Sequence, residues 1–183
     1  MISRVRMNNF SQGDFMLYDI TVPQFTKMLH NLTLILDKAE TYSTEKKIDV
    51  SVLLNDRLAP NMLNLIRQVQ IACDTAKLCA SRLSGKDAPV NDDSEKTLAD
   101  LKTRIQQTIG YLETFSAKDF EGAETKHISQ PRWEGKYLTG KEFVIQHALP
   151  NLYFHVTTSY AILRHNGVEI GKKDYLGEMP YKK

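Results

Sequence analysis

Three polar side chains on one stripe of an apolar helix are the clearest chemistry in this sequence: His147, Asn151 and His155, four residues apart within HALPNLYFHVTTSYAILRHNG. Four residues is a little more than one helical turn, so the three share a face. An imidazole placed there can ligate a metal if further donors converge on it, take a proton as a general base, or pair with a polar neighbour in the core. The candidate partners are Gln70 and Asp74, themselves four apart, with Asp74 set unusually between Cys73 and Ala76. A carboxylate there can bind a metal, orient a histidine or act as a base. The inert alternative is a hydrogen bond from His155 to Asp74 or Gln70 that fixes helix packing, and composition alone favours it. His30 and His127 read as solvent-facing.

The elements that must carry these residues follow from apolar spacing. Thr21 is expected to cap a helix with Pro23 in its first turn, and Val22, Phe25, Leu29, Leu32, Leu36 and Ala39 continue it to about Tyr42. A short apolar patch, Val50 to Leu54, precedes Pro60, where a second helix should start and run to Gly85. GKDAPVNDDS reads as a surface connection, with Ser94 favouring the start of a third helix in which Leu98, Leu101, Ile105, Thr108 and Leu112 face inward. HISQPRWEGKYLTG suggests a short β-hairpin about Glu134-Gly135. Thr139 then precedes a last helix that Pro150 kinks or restarts, ending at Asn166-Gly167. Tyr153 and Tyr160, seven apart on it, suit a pocket lining or, as the preferred reading, a dimer seam. Four amphipathic helices with a long crossover predict an all-α four-helix bundle.

The chain of 183 residues is sized for one domain, residues 16–183, with residues 1–15 a loosely ordered extension. Its formal net charge of +2 comes from 24 basic and 22 acidic residues with no dense basic run, which argues against nucleic acid as a partner. MISRVRMNNFSQGDFM has no continuous apolar stretch, so neither secretion nor membrane insertion is indicated. Cys73 and Cys79, six apart in a helical pattern, read as unbridged thiols of a cytoplasmic protein. There is no Gly-rich phosphate loop, CxxC pair, HExxH or nucleophile elbow.

The blocks LYDITVPQFTKMLHNL, RLAPNMLNLIRQVQIACD, FEGAE and ALPNLYFHVTTSYAILRHNGV, in that order, resemble the DinB-like (DinB/YfiT-like) superfamily of bacterial helix bundles and metalloenzymes. The similarity extends from about Met16 into a branch grouped only as a domain of unknown function. It implies a four-helix bundle with a long connection between helices two and three, built as a homodimer. Metal-binding members take one histidine from helix two and two from the last helix. On that pattern His155 matches the second histidine of the last helix, Asn151 the first, and the helix-two ligand falls at or near Gln70. Two of the three positions thus hold neutral amides, which suit calcium or magnesium better than nickel or zinc. Asp74 or His147 would complete the set if the helix shifts by a turn.

Two functions fit these residues. One is a cytoplasmic homodimeric protein that binds a small molecule or a partner in a degenerate metal pocket lined by Gln70, Asp74, His147, Asn151 and His155. The other is a metal-dependent transferase or hydrolase acting with a low-molecular-weight thiol or water, with His155 ligating a divalent metal. A metal-free acid/base enzyme using His155 and Asp74 has fewer supports.

Overall fold

Apolar residues at three- and four-residue spacing wind the chain into four long helices that share one core. The computed structural model describes residues 12–182, with side chains from residue 17 onward, and residues 1–11 of the expected N-terminal extension lie outside the described residues. The long helices are α1 (Gln12–Lys46), α3 (Leu65–Ser84), α4 (Leu98–Leu112) and α6 (Leu149–His165). Short helices α2 (Val50–Asn55), α5 (Gly140–Phe143) and α7 (Lys172–Leu176) fill in around them. Among the described residues the bundle is all-α apart from one small antiparallel pair, β1 (His127–Ile128) with β2 (Leu138–Thr139), in the register His127 to Thr139 and Ile128 to Leu138. No helix among the described residues is long and apolar enough to cross a membrane.

The helix ends differ from the expected ones for local reasons. Thr21 is not a cap: α1 begins earlier, and the Thr21 hydroxyl donates back to the Leu17 carbonyl at 2.5 Å. Pro23 therefore sits inside α1, where its ring removes the backbone donor to the Asp19 carbonyl. Residue 60 does not open the second long helix; Asn64 does, its side chain accepting the Arg67 N–H at 3.1 Å. Nor does Ser94 open the third, because Thr97 and Asp100 form a reciprocal capping box one turn further on. The five inward positions expected on α4 are all buried. The connection between α3 and α4, residues 85–97, is shorter than residues 113–139, which lead from α4 to the last helical region.

Residues 123–140 are pinned to the bundle by close packing. A side chain at Gly140 would collide with the Ala123 carbonyl oxygen, so only glycine lets the start of α5 lie against that turn. Thr139 caps α5 through a capping box with Glu142. After Phe143 the helix widens into a π turn, Val144–Ala148, and returns to α geometry at Leu149. Pro150 has no N–H for the ladder and crowds the preceding turn, which accounts for a widened turn at this place.

One side chain organises the connection between α3 and α4. Arg104, on α4, is only 2% exposed and meets Asp74 at 2.9 Å, Asp93 at 2.7 Å and Glu95 at 2.9 Å. Its guanidinium also reaches the Gln70 carbonyl at 3.4 Å. Arg67 joins the cluster through Asp93 and Gln70, and the buried Lys77 ammonium meets Asp74 at 3.0 Å and the Pro89 carbonyl at 2.9 Å. A buried guanidinium is stable only with such company: burial weakens its hold on the proton, and the three carboxylates together outweigh that and leave the proton held more tightly than usual. Removing the cation would leave these acids facing one another. Arg104→Ala is expected to lower unfolding stability by about 3–5 kcal/mol, as for other broken buried pairs. Asp93→Asn, at a half-exposed partner, should cost less than about 1 kcal/mol. Urea denaturation of the two variants against the parent checks the ordering.

Candidate functional site

Helices α3 and α6 face each other across a polar seam. Their partners run in opposite order, Gln68 with His155 and Thr75 with Asn151, so the two helices are antiparallel. Between them and the turn Pro131–Trp133 lies a cavity of about 560 Å³. Asp74, His147, Asn151 and His155 all line it, together with Thr75, Arg82, Gln130 and Arg132 and an apolar wall that includes Ile71, Leu78 and Phe143. A second groove, along α1 by Tyr18, Val22 and His30, has comparable volume, but no buried unpartnered nitrogen lies in its lining.

His155 is buried and its Nδ1 lies 2.7 Å from the Gln68 side-chain oxygen. Gln68 donates its own amide nitrogen to the Leu63 carbonyl at 2.9 Å, which orients the oxygen toward the ring. Nδ1 therefore carries the proton as donor, and Nε2 presents a lone pair. Burial pushes the imidazole down to about 4 from its ordinary 6.5, so the ring is neutral at pH 7. Asn151, one turn away, donates its amide to the Thr75 hydroxyl at 2.6 Å.

His147 sits in the π turn, stacked on Phe143 with centroids 5.4 Å apart and edge-on to Trp133 at 5.5 Å. Its Nε2 accepts from Arg132 at 2.9 Å, and its Nδ1 is buried without a partner. Burial first, then the charges of Arg132 and Arg82, lower its basicity. Arg82, on α3, lies over the Phe143 ring at 5.8 Å. Burial chiefly, and the neighbouring Arg132, pull its affinity for the proton down.

Of the five residues singled out by sequence, four meet in this cavity and Gln70 does not. Its amide bridges Arg67 and Glu95 on the α4 side of the helix. Gln68 is the α3 residue that reaches His155, and two residues on a helix are a rotation of about 200°. Asp74 lines the cavity with its carboxylate committed to Arg104 and Lys77, so the expected Asp74–His155 hydrogen bond is replaced by one to Gln68. Arg82, Gln130 and Arg132 were not anticipated. A signal for α3 existed: Gln68, Thr75 and Arg82 are seven apart, a helical stripe of polar residues opposite the α6 stripe. Arg132 and Gln130 lie in irregular chain, where no periodicity places a side chain.

The donors do not fit a transition metal. Among the described residues no three His, Cys, Asp or Glu side chains converge as such a site requires. The one imidazole at the matched position has a neutral amide beside it, and the nearest carboxylate is neutralised by Arg104. The two cysteines are buried and unbridged, and burial pushes the Cys73 thiol up to about 12. His30 is exposed, and His127 is exposed and stacked on Tyr137. Tyr153 and Tyr160 are half-buried, their hydroxyls bonded to Gln24 and to the Ile170 carbonyl, and Tyr153 lines a shallow outer groove with Phe154.

Residues 17–176 match the family model described as a domain of unknown function, DUF1993. The chain belongs to this family. A crystal structure of a DinB family member protein from Shewanella denitrificans is 64% identical over 97% of this chain and 99% of that one, with a TM-score of 0.91. At that level the two share a fold throughout, and the DUF1993 chain is a DinB-like protein. Comparison with curated proteins found no match.

The neutral state of His155 has a measurable consequence. Folding favours the unprotonated ring, so its contribution is complete above the unfolded value near 6.5 and is lost as pH falls from there to about 4. His147, also lowered, acts in the same direction. The lowered carboxylates of the Arg104 cluster, Asp93 and Glu95, contribute fully above the ordinary carboxylate values and are lost as pH falls from those values downward. Stability is expected to fall by about 2 kcal/mol between pH 6.5 and 4, and His155→Gln should flatten that part of the profile. Denaturant unfolding at a series of pH values decides it; an unchanged slope in the variant would refute the assignment.

Proposed function

We propose that this DUF1993 protein is a cytoplasmic, homodimeric small-molecule-binding protein whose ligand occupies the α3/α6 cavity, a degenerate form of the superfamily's metal pocket. The observation that carries it is the convergence of His155, Asn151, Thr75, His147 and two arginines on one cavity of about 560 Å³ with an apolar wall. That volume, and a few polar groups set in an apolar lining, are the ordinary makings of a small-molecule site. The donor chemistry supports binding over metal chemistry, since amides stand where the resemblance expects histidines, and Asn151 is engaged by Thr75 and Gln70 by Arg67 and Glu95.

The cavity half of this reading is tested by filling it. Ligand-observed NMR with small fragments of mixed charge should give binders in the parent, and Leu78→Trp, whose ring would occupy the lumen, should lose them while keeping its helical circular dichroism. A parent that binds none of the fragments, or a variant that binds them as the parent does, rejects the reading. Metal content after dialysis against nickel or zinc should remain far below stoichiometric and be the same in His155→Ala. A stoichiometric ion lost in that variant would instead favour a metal-dependent transferase or hydrolase.

The pairing half draws support from the outer face of α6, where Phe154 is 55% exposed and Leu58 42% exposed beside a shallow apolar groove. Phe154→Glu should shift a sedimenting dimer toward monomer. An unaltered dimer would move the interface elsewhere.

A further inference from the structure

If the cavity takes a small molecule, its charge pattern narrows which one. Arg82 and Arg132 both line the end nearest Phe143 and His147. Elsewhere in the bundle Arg104 has three carboxylates, Arg67 has Asp93, and Lys77 has Asp74, while the half-buried Lys126 has the Leu83 carbonyl. Among the described residues neither Arg82 nor Arg132 has a carboxylate within ion-pairing distance. Arg82 is half-buried, so its charge is paid for neither by full hydration nor by a counter-ion.

Two further nitrogens in the same wall lack acceptors. The Gln130 amide nitrogen and His147 Nδ1 are buried without a partner. Because His147 Nε2 accepts from Arg132, the neutral ring carries its proton on Nδ1, and this too is a donor. Two guanidinium groups, one amide N–H and one imidazole N–H thus gather around a single acceptor, His147 Nε2, which Arg132 already occupies. Buried donors are rarely left so, and the deficit is one that oxyanion oxygens would fill. Asp74, the carboxylate of this cavity, cannot fill it, since Arg104 and Lys77 hold it on the other side of α3.

The opposite end has a different character. His155 presents a neutral lone pair, and Asn151 and Thr75 are already bonded to each other. His147 and His155 are eight residues apart on the helical region, about 12 Å of rise. The cavity is therefore polarised, with donors and positive charge at one end and a neutral acceptor at the other.

We propose that this cavity is an anion seat: it binds a small organic anion whose carboxylate or phosphate oxygens lie between Arg82 and Arg132, with a neutral hydroxyl or amide donor directed toward His155 Nε2. The assignment rests on the cavity being a small-molecule site. A guanidinium fork matches both oxyanions, so the shared chemistry is the oxyanion and the two sources are separated by experiment.

The test uses the full-length, isotope-labelled protein and backbone-amide NMR at fixed ionic strength, with three probes of one chain length: butyrate, butyl phosphate and the neutral butyramide. One or both anions should cause saturable shifts around Arg82, Arg132 and Phe143, and the stronger of the two names the oxyanion. Butyramide should bind at least tenfold more weakly. Arg82→Gln and Arg132→Gln should each weaken the anion tenfold or more, with Arg82→Lys falling between. Arg132 is exposed on a turn, so its variant carries the test if Arg82→Gln fails to fold. Removing one of two repelling charges should also leave the Arg132→Gln protein melting no lower than the parent, as is common where a site is strained for function. Equal binding of butyrate and butyramide, or undiminished anion binding in the Arg132→Gln variant, would overturn the anion seat and leave a small-molecule cavity standing. No shift with any probe would overturn both.

Discussion

A guanidinium buried to 2% exposure is the constraint around which the rest of the molecule is arranged. Arg104 cannot lose its proton and cannot stay charged in the core alone, so the chain must bring carboxylates to it. It draws Asp93 and Glu95 from the connection between α3 and α4, and Asp74 from α3 itself. That fixes an otherwise irregular connection against the bundle without a large apolar contribution from the connection. It also has a distant effect. By taking Asp74, the cluster removes the one acid that could have neutralised the cavity on the other side of the helix, and so the charge of the cavity is set partly by a residue that does not line it.

Helix α3 is therefore a partition with two chemistries. Gln70, Asp74 and Lys77 face α4 and the connection, while Gln68, Thr75, Leu78 and Arg82 face α6 and the cavity. Asp74 lies at the border and touches both. The register of the helix decides which residue falls where, and Asn64 decides the register by capping at that position and not at residue 60. Buried polar groups on both faces make any other register costly, since a rotation would strand Gln68 and Gln70 without partners.

The bundle was readable in the sequence because its evidence is repetitive. Leu98, Leu101, Ile105 and Leu112 each repeat the same statement about which face is buried, and an error at one position is outvoted by the rest. The cavity was readable only in part, because a site has no such redundancy. The α6 stripe of His147, Asn151 and His155 could be read from spacing, yet the choice between Gln68 and Gln70 hung on a helix start misplaced by a few residues. Arg132 and Gln130 come from the turn between β1 and β2, whose position depends on glycine packing against Ala123 and on two residues of strand pairing. Neither constraint leaves a period in the sequence. The N-terminal part of α1 shows the same limit: a proline and a threonine that resemble a helix start lie inside the helix, with the Thr21 hydroxyl bonded back to the Leu17 carbonyl.

The two ends of the cavity differ in how their polar groups are satisfied. If the amides had merely replaced ligands through loss of function, their polar atoms would be expected to stand without partners around a disused site. They do not. Asn151 is bonded to Thr75, and His155 is held in one tautomer by a glutamine that is itself held by the Leu63 carbonyl. Apart from Arg104 Nε in the α4 cluster, the buried unpartnered side-chain atoms among the described residues lie at the other end, on His147 and Gln130, where the π turn carries His147 against Phe143 and Trp133 within reach of two arginines. An ordered neutral end and a donor-rich charged end within one lumen are difficult to account for by decay alone, because decay has no reason to satisfy one set of groups and spare the other. Polarity of that kind is what orientation of a bound molecule requires.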